Sequence, residues 1–425
     1  MTSQKHFDAL ISVLTAGRDR HYSLGLASAL ADAGQKIDFI ASNDLDSKEF
    51  RASPQINFLN LRGDQSTNTA LPKKILRVLS YYVRLLRYAA TSRAKIFHIL
   101  WNNKIEMLDR TVLMTFYKLL GKKITLTAHN VNGGKRDGYD SFLNRATLRF
   151  QYRLCDRIFV HTNKMKAELI ADFDVPAAKV VLIPYGWNNM VPNTALTGLQ
   201  ARRRLDLSPQ DKVILFYGHI APYKGVEHLL EAFDAVANED PHLRLIVVGR
   251  PRGPKSYWTQ LAVRIAASRY SDRILQKIEF ISEDDTELYF KAADVLVLPY
   301  VYIFQSGVLF LSYSFGLPAI ATDVGSLKEE VLEGETGFTC ESGNSAALAR
   351  CIQKYFQSHL YRELDARRPD IRNFVKEKHS WNQIANIIIT AYSQILHKGK
   401  CPGLLSKMEN DHETLSFDSH SGLQR

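Results

Sequence analysis

Apolar residues come in short blocks along this chain, and the blocks alternate with longer stretches of helical spacing. Runs too short for helices, bounded by glycine, proline or polar turns, read as buried parallel strands. In the second half these runs lie at 213–217, 243–248, 278–281, 295–298 and 319–321, and the helical stretches between them at 229–237, 257–269, 286–292 and 308–315. Strand and helix in turn imply a parallel sheet wrapped by helices. The first half repeats the pattern, with strands expected at 7–14, 37–40, 96–101, 123–128 and 158–161 and helices over 22–33 and 72–95. A polar interval with Pro192, Asn193, Thr194, Thr197 and Gly198 separates the halves. The expected organisation is α/β, with one domain over 1–190, a linker over 191–209 and a second domain over 210–375. A further helix lies within 376–397, and the polar end, 398–425, is expected to be disordered.

Composition and charge sharpen this picture. With 425 residues, the chain can bury two cores. Its four cysteines, Cys155, Cys340, Cys351 and Cys401, have no close pair along the sequence, so neither a disulfide framework nor a zinc site is expected. No apolar run reaches the ~18 residues of a membrane span, and the polar start does not lead into a signal-peptide core, so a cytoplasmic protein is expected. The net charge is +11, and its distribution says more: residues 1–200 hold 28 Lys and Arg against 16 Asp and Glu, whereas the rest hold 27 against 28. That asymmetry suggests contact with an anionic surface. The 72–95 stretch sets Lys73, Lys74, Arg77, Arg84, Arg87 and Arg93 among apolar residues at near-helical spacing. It reads either as a basic amphipathic helix on anionic lipid, which would put the protein at the inner membrane face, or as an ordinary sheet-packed helix with a solvated basic face. No nucleic-acid motif accompanies the charge.

Two glycine-bearing turns carry the candidate chemistry. Gln305-Ser306-Gly307 follows the 295–298 strand and opens the helix beginning near Val308, which places polar groups at a helix N-terminus beyond a strand's carboxyl end. There the unpaired N–H groups favour an anion such as a diphosphate. Gly218-His219-Ile220-Ala221-Pro222-Tyr223-Lys224-Gly225 joins the 213–217 strand to its helix and holds a lysine where the helix dipole alone would disfavour one. In the first half, Gly17 follows the first strand, without the Gly-x-Gly-x-x-Gly spacing of dinucleotide binding. Asp44-Leu45-Asp46 reads as a solvated loop, and no metal is assigned. His129 stands at the end of the 123–128 strand, where a near-neutral imidazole could either donate to or accept from a hydroxyl or be a structural histidine satisfied by backbone. The 130–139 loop, rich in glycine, looks mobile.

The segments 217–225 and 300–325 resemble the two donor-site segments of glycosyltransferase family 4, retaining enzymes of the GT-B architecture. Thr127-Ala128-His129-Asn130-Val131, Val160-His161-Thr162 and Ile183-Pro184-Tyr185-Gly186 are similar to further family segments, so the resemblance covers nearly the whole chain. It implies two Rossmann-like domains facing a central cleft, with the helix near Trp381 crossing back onto the first domain. It also implies transfer of a sugar from a nucleotide-diphosphate sugar to a hydroxyl acceptor such as a lipid-linked or growing glycan. By this resemblance His129 and Lys224 are catalytic, and donor binding falls to Gly17, Gly218, His219, Gly249, Arg250, Ile281, Gln305, Ser306, Gly307, Val308 and Ser312. No cofactor is expected beyond the nucleotide sugar as co-substrate.

The chain departs from the family pattern at three positions. Phe304 and Ser312 stand where many members carry two glutamates, and His219 stands where an arginine is usual. The Gln-Ser-Gly variant resembles a branch of the same family. A GT-B isomerase or phosphorylase, or a non-catalytic membrane-associated relative, are the alternatives.

Overall fold

The computed structural model describes residues 9–17, 19–66 and 70–397; the expected tail and the first residues of the expected 7–14 strand lie outside them. Among the described residues, thirteen strands form two sheets, parallel throughout. In the first sheet are β1 (Ile11–Leu14), β2 (Ile37–Ala41), β3 (Ile56–Asn60), β4 (Ile96–Ile99), β5 (Lys123–Thr127), β6 (Arg157–Val160) and β7 (Val180–Leu182), in the order β3-β2-β1-β4-β5-β6-β7. In the second are β8 (Lys212–Tyr217), β9 (Leu243–Val248), β10 (Ile274–Lys277), β11 (Val295–Leu298), β12 (Ala319–Thr322) and β13 (Gly337–Cys340), in the order β10-β9-β8-β11-β12-β13. In each sheet the chain winds outward from one strand and then returns to its other side. The crevice at that reversal, between β1 and β4 and between β8 and β11, is where doubly wound sheets bind ligands.

The helices used below are α1 (Arg20–Asp32), α2 (Leu71–Thr91), α3 (Phe142–Leu154), α4 (Val226–Ala237), α5 (Glu283–Ala292), α6 (Gly307–Ser314) and α7 (Trp381–Leu396). The central strands β1, β2, β4, β6, β11 and β12 are buried along their whole length, which is why their sequences are mostly apolar; Ser12, Asp38, His98, Arg157 and Thr322 are the buried polar exceptions. α7 returns to the first domain. The Trp381 ring meets the edges of His21 and Tyr22 on α1, and the Tyr392 hydroxyl lies 2.5 Å from Nδ1 of buried His98. Further links cross between the sheets. Tyr185 stacks on Phe310 with ring centroids 5.4 Å apart, and Arg20 pairs with Glu283 at 3.0 Å.

Several expectations change. The 278–281 run is not a strand: β10 lies four residues earlier, in register with β9 from Ile274↔Leu245 to Lys277↔Val248. As an edge strand it buries only Ile274, so its sequence is not conspicuously apolar, and the run that is apolar falls in the loop, with Phe280 exposed. The 130–139 segment contains a short helix, Gly133–Asp137, capped by the Asn132 side chain. The linker likewise contains a helix, Gly198–Arg204, with a capping box of Thr197 and Gln200, and Arg202 ties it to Asp294 of the second domain at 2.8 Å. Cys340 and Cys351, apart in sequence, are free thiols brought near one another, and the Cys351 thiol donates to the Thr339 carbonyl. No helix among the described residues is long and apolar enough to cross a membrane.

Candidate active site

In the second domain, the loops after β8, β9 and β11 converge. The first two are joined by the Ile220↔Pro251 bridge, and the Arg250 carbonyl accepts from the Ile220 N–H at 3.0 Å. Their approach is so close that a Cβ on Gly249 (φ 141°) would lie 1.7 Å from the Gly218 carbonyl oxygen. Both glycines therefore shape the loops and leave their backbone open to a ligand. Lys224 ends a 3-10 turn, Pro222–Lys224, and is buried; its Nζ sits 3.6 Å from the centroid of the Tyr300 ring. The Tyr300 hydroxyl lies 3.3 Å from Ser306 Oγ, just before α6. Tyr300 thus couples the two turns that the sequence singled out.

Ser306 holds the N-cap position of α6 but its side chain caps nothing, which leaves the N–H groups of the first turn with their positive end of the helix dipole. Beside it, both polar atoms of the Gln305 amide are buried without a hydrogen-bond partner. A buried amide left so in a folded protein calls for a ligand or ordered water. Gly307 lies against the first domain, where an added Cβ would meet the Tyr185 hydroxyl at 3.1 Å, and Val308 contacts Gly218.

His219 does not carry a proton at neutral pH, contrary to the charge that an arginine in its place would bring. Burial lowers its pKa to about 4, helped by the cations Arg252, Arg250 and Lys224. Ser312 is not brought to the cleft: it is fully buried, and its hydroxyl donates to the Leu317 carbonyl at 2.5 Å. Phe304 is buried within an apolar cluster of the first domain. Ile281 lies in the loop beyond β10, two residues before Glu283, which pairs with Arg20.

The first domain offers a cavity of about 320 Å³ beyond β4 and β5, lined by Trp101, His129, Asn130, Arg110 and Gln151 and, from the second domain, by Arg252. His129 stacks on Trp101 with centroids 4.3 Å apart and planes 4° from parallel, and meets Tyr22 edge-on. Its Nδ1 lies 3.2 Å from His161 Nε2, and His161 Nδ1 lies 3.4 Å from the Ile183 carbonyl oxygen. A carbonyl only accepts, so His161 Nδ1 carries the hydrogen. Burial holds the His161 pKa down to about 4, so that ring is neutral and its Nε2 is a lone pair. His129 Nδ1 must then donate to it, which leaves His129 Nε2 as a bare acceptor, buried and without a partner. Burial, then repulsion from His161 and His98, keeps the His129 pKa well below its ordinary value. The near-neutral titration expected of His129 is thus replaced by a fixed neutral acceptor.

Gly17 lies in the turn after β1. It holds a left-handed conformation (φ 64°), as do Ala16 and Asp19, and an added Cβ would meet Ser42 Oγ and the Arg62 side chain. Sequence reasoning missed Tyr300, His161, Trp101 and Arg252. His161 was visible only as part of a strand motif, and Arg252 as one more loop arginine.

Two doubly wound parallel sheets, each presenting its ligand crevice toward a shared cleft, define the GT-B class of protein. Residues 21–188 match the Glycosyltransferase Family 4 description and residues 211–358 the Glycosyl transferases group 1 description. The chain belongs to glycosyltransferase family 4. Among curated relatives, a D-inositol 3-phosphate glycosyltransferase of Streptomyces scabiei is 29% identical over 251 residues, 58% of this chain and 55% of that protein. An uncharacterized glycosyltransferase of Methanocaldococcus jannaschii is 25% identical over 57% of this chain and 60% of its own. The chain thus spans little more than half the length of these relatives. Of the solved structures, sucrose-phosphate synthase from Thermosynechococcus elongatus superposes over 92% of this chain and 99% of that one, with a TM-score of 0.71 at 21% identity. Anabaena HepE in complex with UDP-glucose covers 90% and 99%, with a TM-score of 0.68 at 14% identity. These likenesses bear on the fold.

Proposed function

We propose that the protein transfers a sugar, with retention, from a nucleotide-diphosphate sugar on the second domain to a hydroxyl acceptor in the first-domain cavity. The observation that carries this reading is the cationic end of the second sheet, Lys224 on Tyr300 beside the first turn of α6, together with the orphaned Gln305 amide. HepE, of the same fold, was solved with UDP-glucose. In this reading the diphosphate lies between Lys224 and the N–H groups at Gly307 and Val308, with Arg250 adding charge at the rim. The backbone near Gly218, Gly249 and Ile281 brackets the nucleoside. The left-handed turn at Gly17 faces the donor from the first domain.

Bond making and breaking then balance within the substrates. The anomeric carbon–oxygen bond to the leaving phosphate breaks, the acceptor oxygen attacks from the same face, and the departing phosphate oxygen takes the acceptor proton. No carboxylate pair is needed for this route, unlike hydrolysis by two carboxylates. His129 Nε2, an acceptor only, receives a hydrogen bond from a sugar hydroxyl and orients it. The charge of the leaving group is assigned to side chains and backbone; EDTA leaving turnover unchanged is the corresponding expectation. An acceptor on a lipid-linked or growing glycan suits the size and polarity of the cavity.

Calorimetric titration with UDP, GDP, ADP and their sugar conjugates tests the donor site. Micromolar binding of one base, lost in Lys224→Ala, is expected, and NMR of the product anomer then reads retention. A second reading draws on Phe304 and Ser312, whose side chains are occupied inside the protein where many relatives carry glutamates. On that reading the chain binds nucleotide sugar without transferring it, and binding without turnover over a broad acceptor panel would favour it.

A further inference from the structure

The amphipathic stretch on α2 has two apolar faces where the core needs one. Tyr81, Tyr82, Leu85 and Ala89 point inward and are buried. Ile75, Leu76, Leu79, Val83 and Leu86 lie on an adjoining face and are exposed, Leu76 and Val83 at 65% each. At 3.6 residues per turn, Arg84 and Arg87 fall on the remaining arc with Arg77 and Lys73, and the helix carries no acidic residue. The two uses that competed for one stripe in the sequence are therefore served by separate stripes. The outer stripe is a convex ridge of aliphatic side chains along a helix of 21 residues, about 30 Å at 1.5 Å per residue. A contiguous exposed ridge of this kind marks an interaction surface.

We infer that this outer face of α2 docks the protein on an anionic lipid bilayer. The charge selects the occupant. A second copy of the chain would set the basic arc of one helix against that of another, which like-charge repulsion opposes. An anionic headgroup layer attracts the same arc while the aliphatic ridge enters the acyl boundary. The apolar exposure also continues toward the cavity. The Tyr82 hydroxyl, at the border of the ridge, donates to Asp109 at 2.9 Å and accepts from the Ile105 N–H. Ile105 and Met107 are exposed there, and Arg110, one residue after Asp109, lines the cavity. Docking along α2 therefore brings that side of the cavity toward the lipid surface. If the proposed transferase activity holds, an acceptor anchored in the bilayer reaches His129 from that side; the docking itself does not depend on that activity.

Sedimentation of the full chain with vesicles of phosphatidylglycerol and phosphatidylcholine, against phosphatidylcholine alone, tests the inference without any enzyme assay. Binding to the anionic vesicles that weakens with salt is expected. Leu76→Ser/Leu79→Ser/Val83→Ser and, separately, Arg84→Ala/Arg87→Ala should each lower the partition coefficient by about tenfold or more. Hydrogen–deuterium exchange of the unmodified protein should show vesicle-dependent protection over residues 71–91, a readout that needs no variant. No vesicle binding, binding unaffected by both variants, or protection elsewhere would overturn the inference. So would a dimer in sedimentation velocity that the triple serine variant dissociates.

Discussion

The two ends of the cleft are built on the same plan and prepared in opposite ways. In the first domain the groups beyond the sheet satisfy one another: Asn102 and Gln151 exchange amide hydrogen bonds, Arg110 is held by Glu106 and Asn144, and His161 is spent on orienting His129. Of the cavity-lining groups, His129 Nε2 and Arg110 Nε stay buried without a partner. In the second domain positive charge accumulates, with cations round a neutral His219, a helix start whose cap side chain caps nothing and a Gln305 amide with no partner. Neutral, aromatic and prearranged surroundings suit hydroxyls, whose hydrogen bonds need direction. Unsatisfied donors and positive charge suit a diphosphate, which supplies acceptors in every direction.

The sharpest way to break this contrast is Lys224→Ala. The cation should hold the diphosphate and matter most once the leaving phosphate gains charge, so turnover should fall by about a hundredfold or more while the thermal midpoint shifts little. Comparable losses in both would make Lys224 a packing residue, and the cationic end would lose its meaning. Kinetics paired with calorimetric melting decide it.

Acid separates the two ends next, through stability. Burial holds His98 near a pKa of about 3 and His161 near about 4, against 6.5 in the unfolded chain. Between these values the unfolded chain binds more protons than the folded one, so stability is full above about pH 6.5 and is lost as pH falls toward 4. His161 alone contributes about 3 kcal/mol to that loss at 1.36 kcal/mol per pKa unit. Denaturant unfolding at pH 7.5 and 5 should show a fall of this order, smaller in His161→Phe. For donor binding the sign is reversed. His219, neutral when the site is empty, takes up a proton if a diphosphate arrives, so nucleotide affinity should rise as pH falls from 7.5 to 6.

A finer test targets the bare nitrogen of His129. His161→Phe keeps a ring in place but removes the acceptor for His129 Nδ1–H, so the fixed tautomer is lost. Turnover should drop by about tenfold, the worth of one oriented hydrogen bond, with donor affinity unchanged. Nitrogen NMR of His129 should show the hydrogen divided between Nδ1 and Nε2. An unchanged tautomer would mean that Trp101 stacking, not His161, orients the ring.

Legibility in the sequence divided along similar lines. Central strands such as 295–298 and 243–248 are buried on both faces and announce themselves as apolar runs. Edge strands β3 and β10 do not, because one side meets solvent, and the run taken for β10 lies in the following loop. Lys224, Gln305 and Ser306 were readable because glycine turns and a helix start fix where such residues must stand. The role of His161 was not, since it depends on which atom of another ring faces it across 32 residues of sequence. Ser312 failed for a related reason: a motif gives its position in the helix, while its hydroxyl is claimed by a carbonyl that only the folded turn brings near.

The smallest expected effect belongs to the one side chain that serves both ends. Arg252 is exposed, on the loop after β9, lowers the His219 pKa from one side and lines the first-domain cavity on the other. An exposed guanidinium is well solvated and screened, so Arg252→Ala should cost only a few-fold in kcat/KM. Which constant moves is the informative part. A rise in the donor KM that grows at low ionic strength would place the arginine with the cations and make the cleft's charge continuous. A rise confined to the acceptor KM would make it the wall of the hydroxyl site, the single point where the second domain contributes to the first domain's chemistry. In that case the division between the two ends would run through the β9 loop itself, between Arg250 and Arg252, and not along the gap between the sheets.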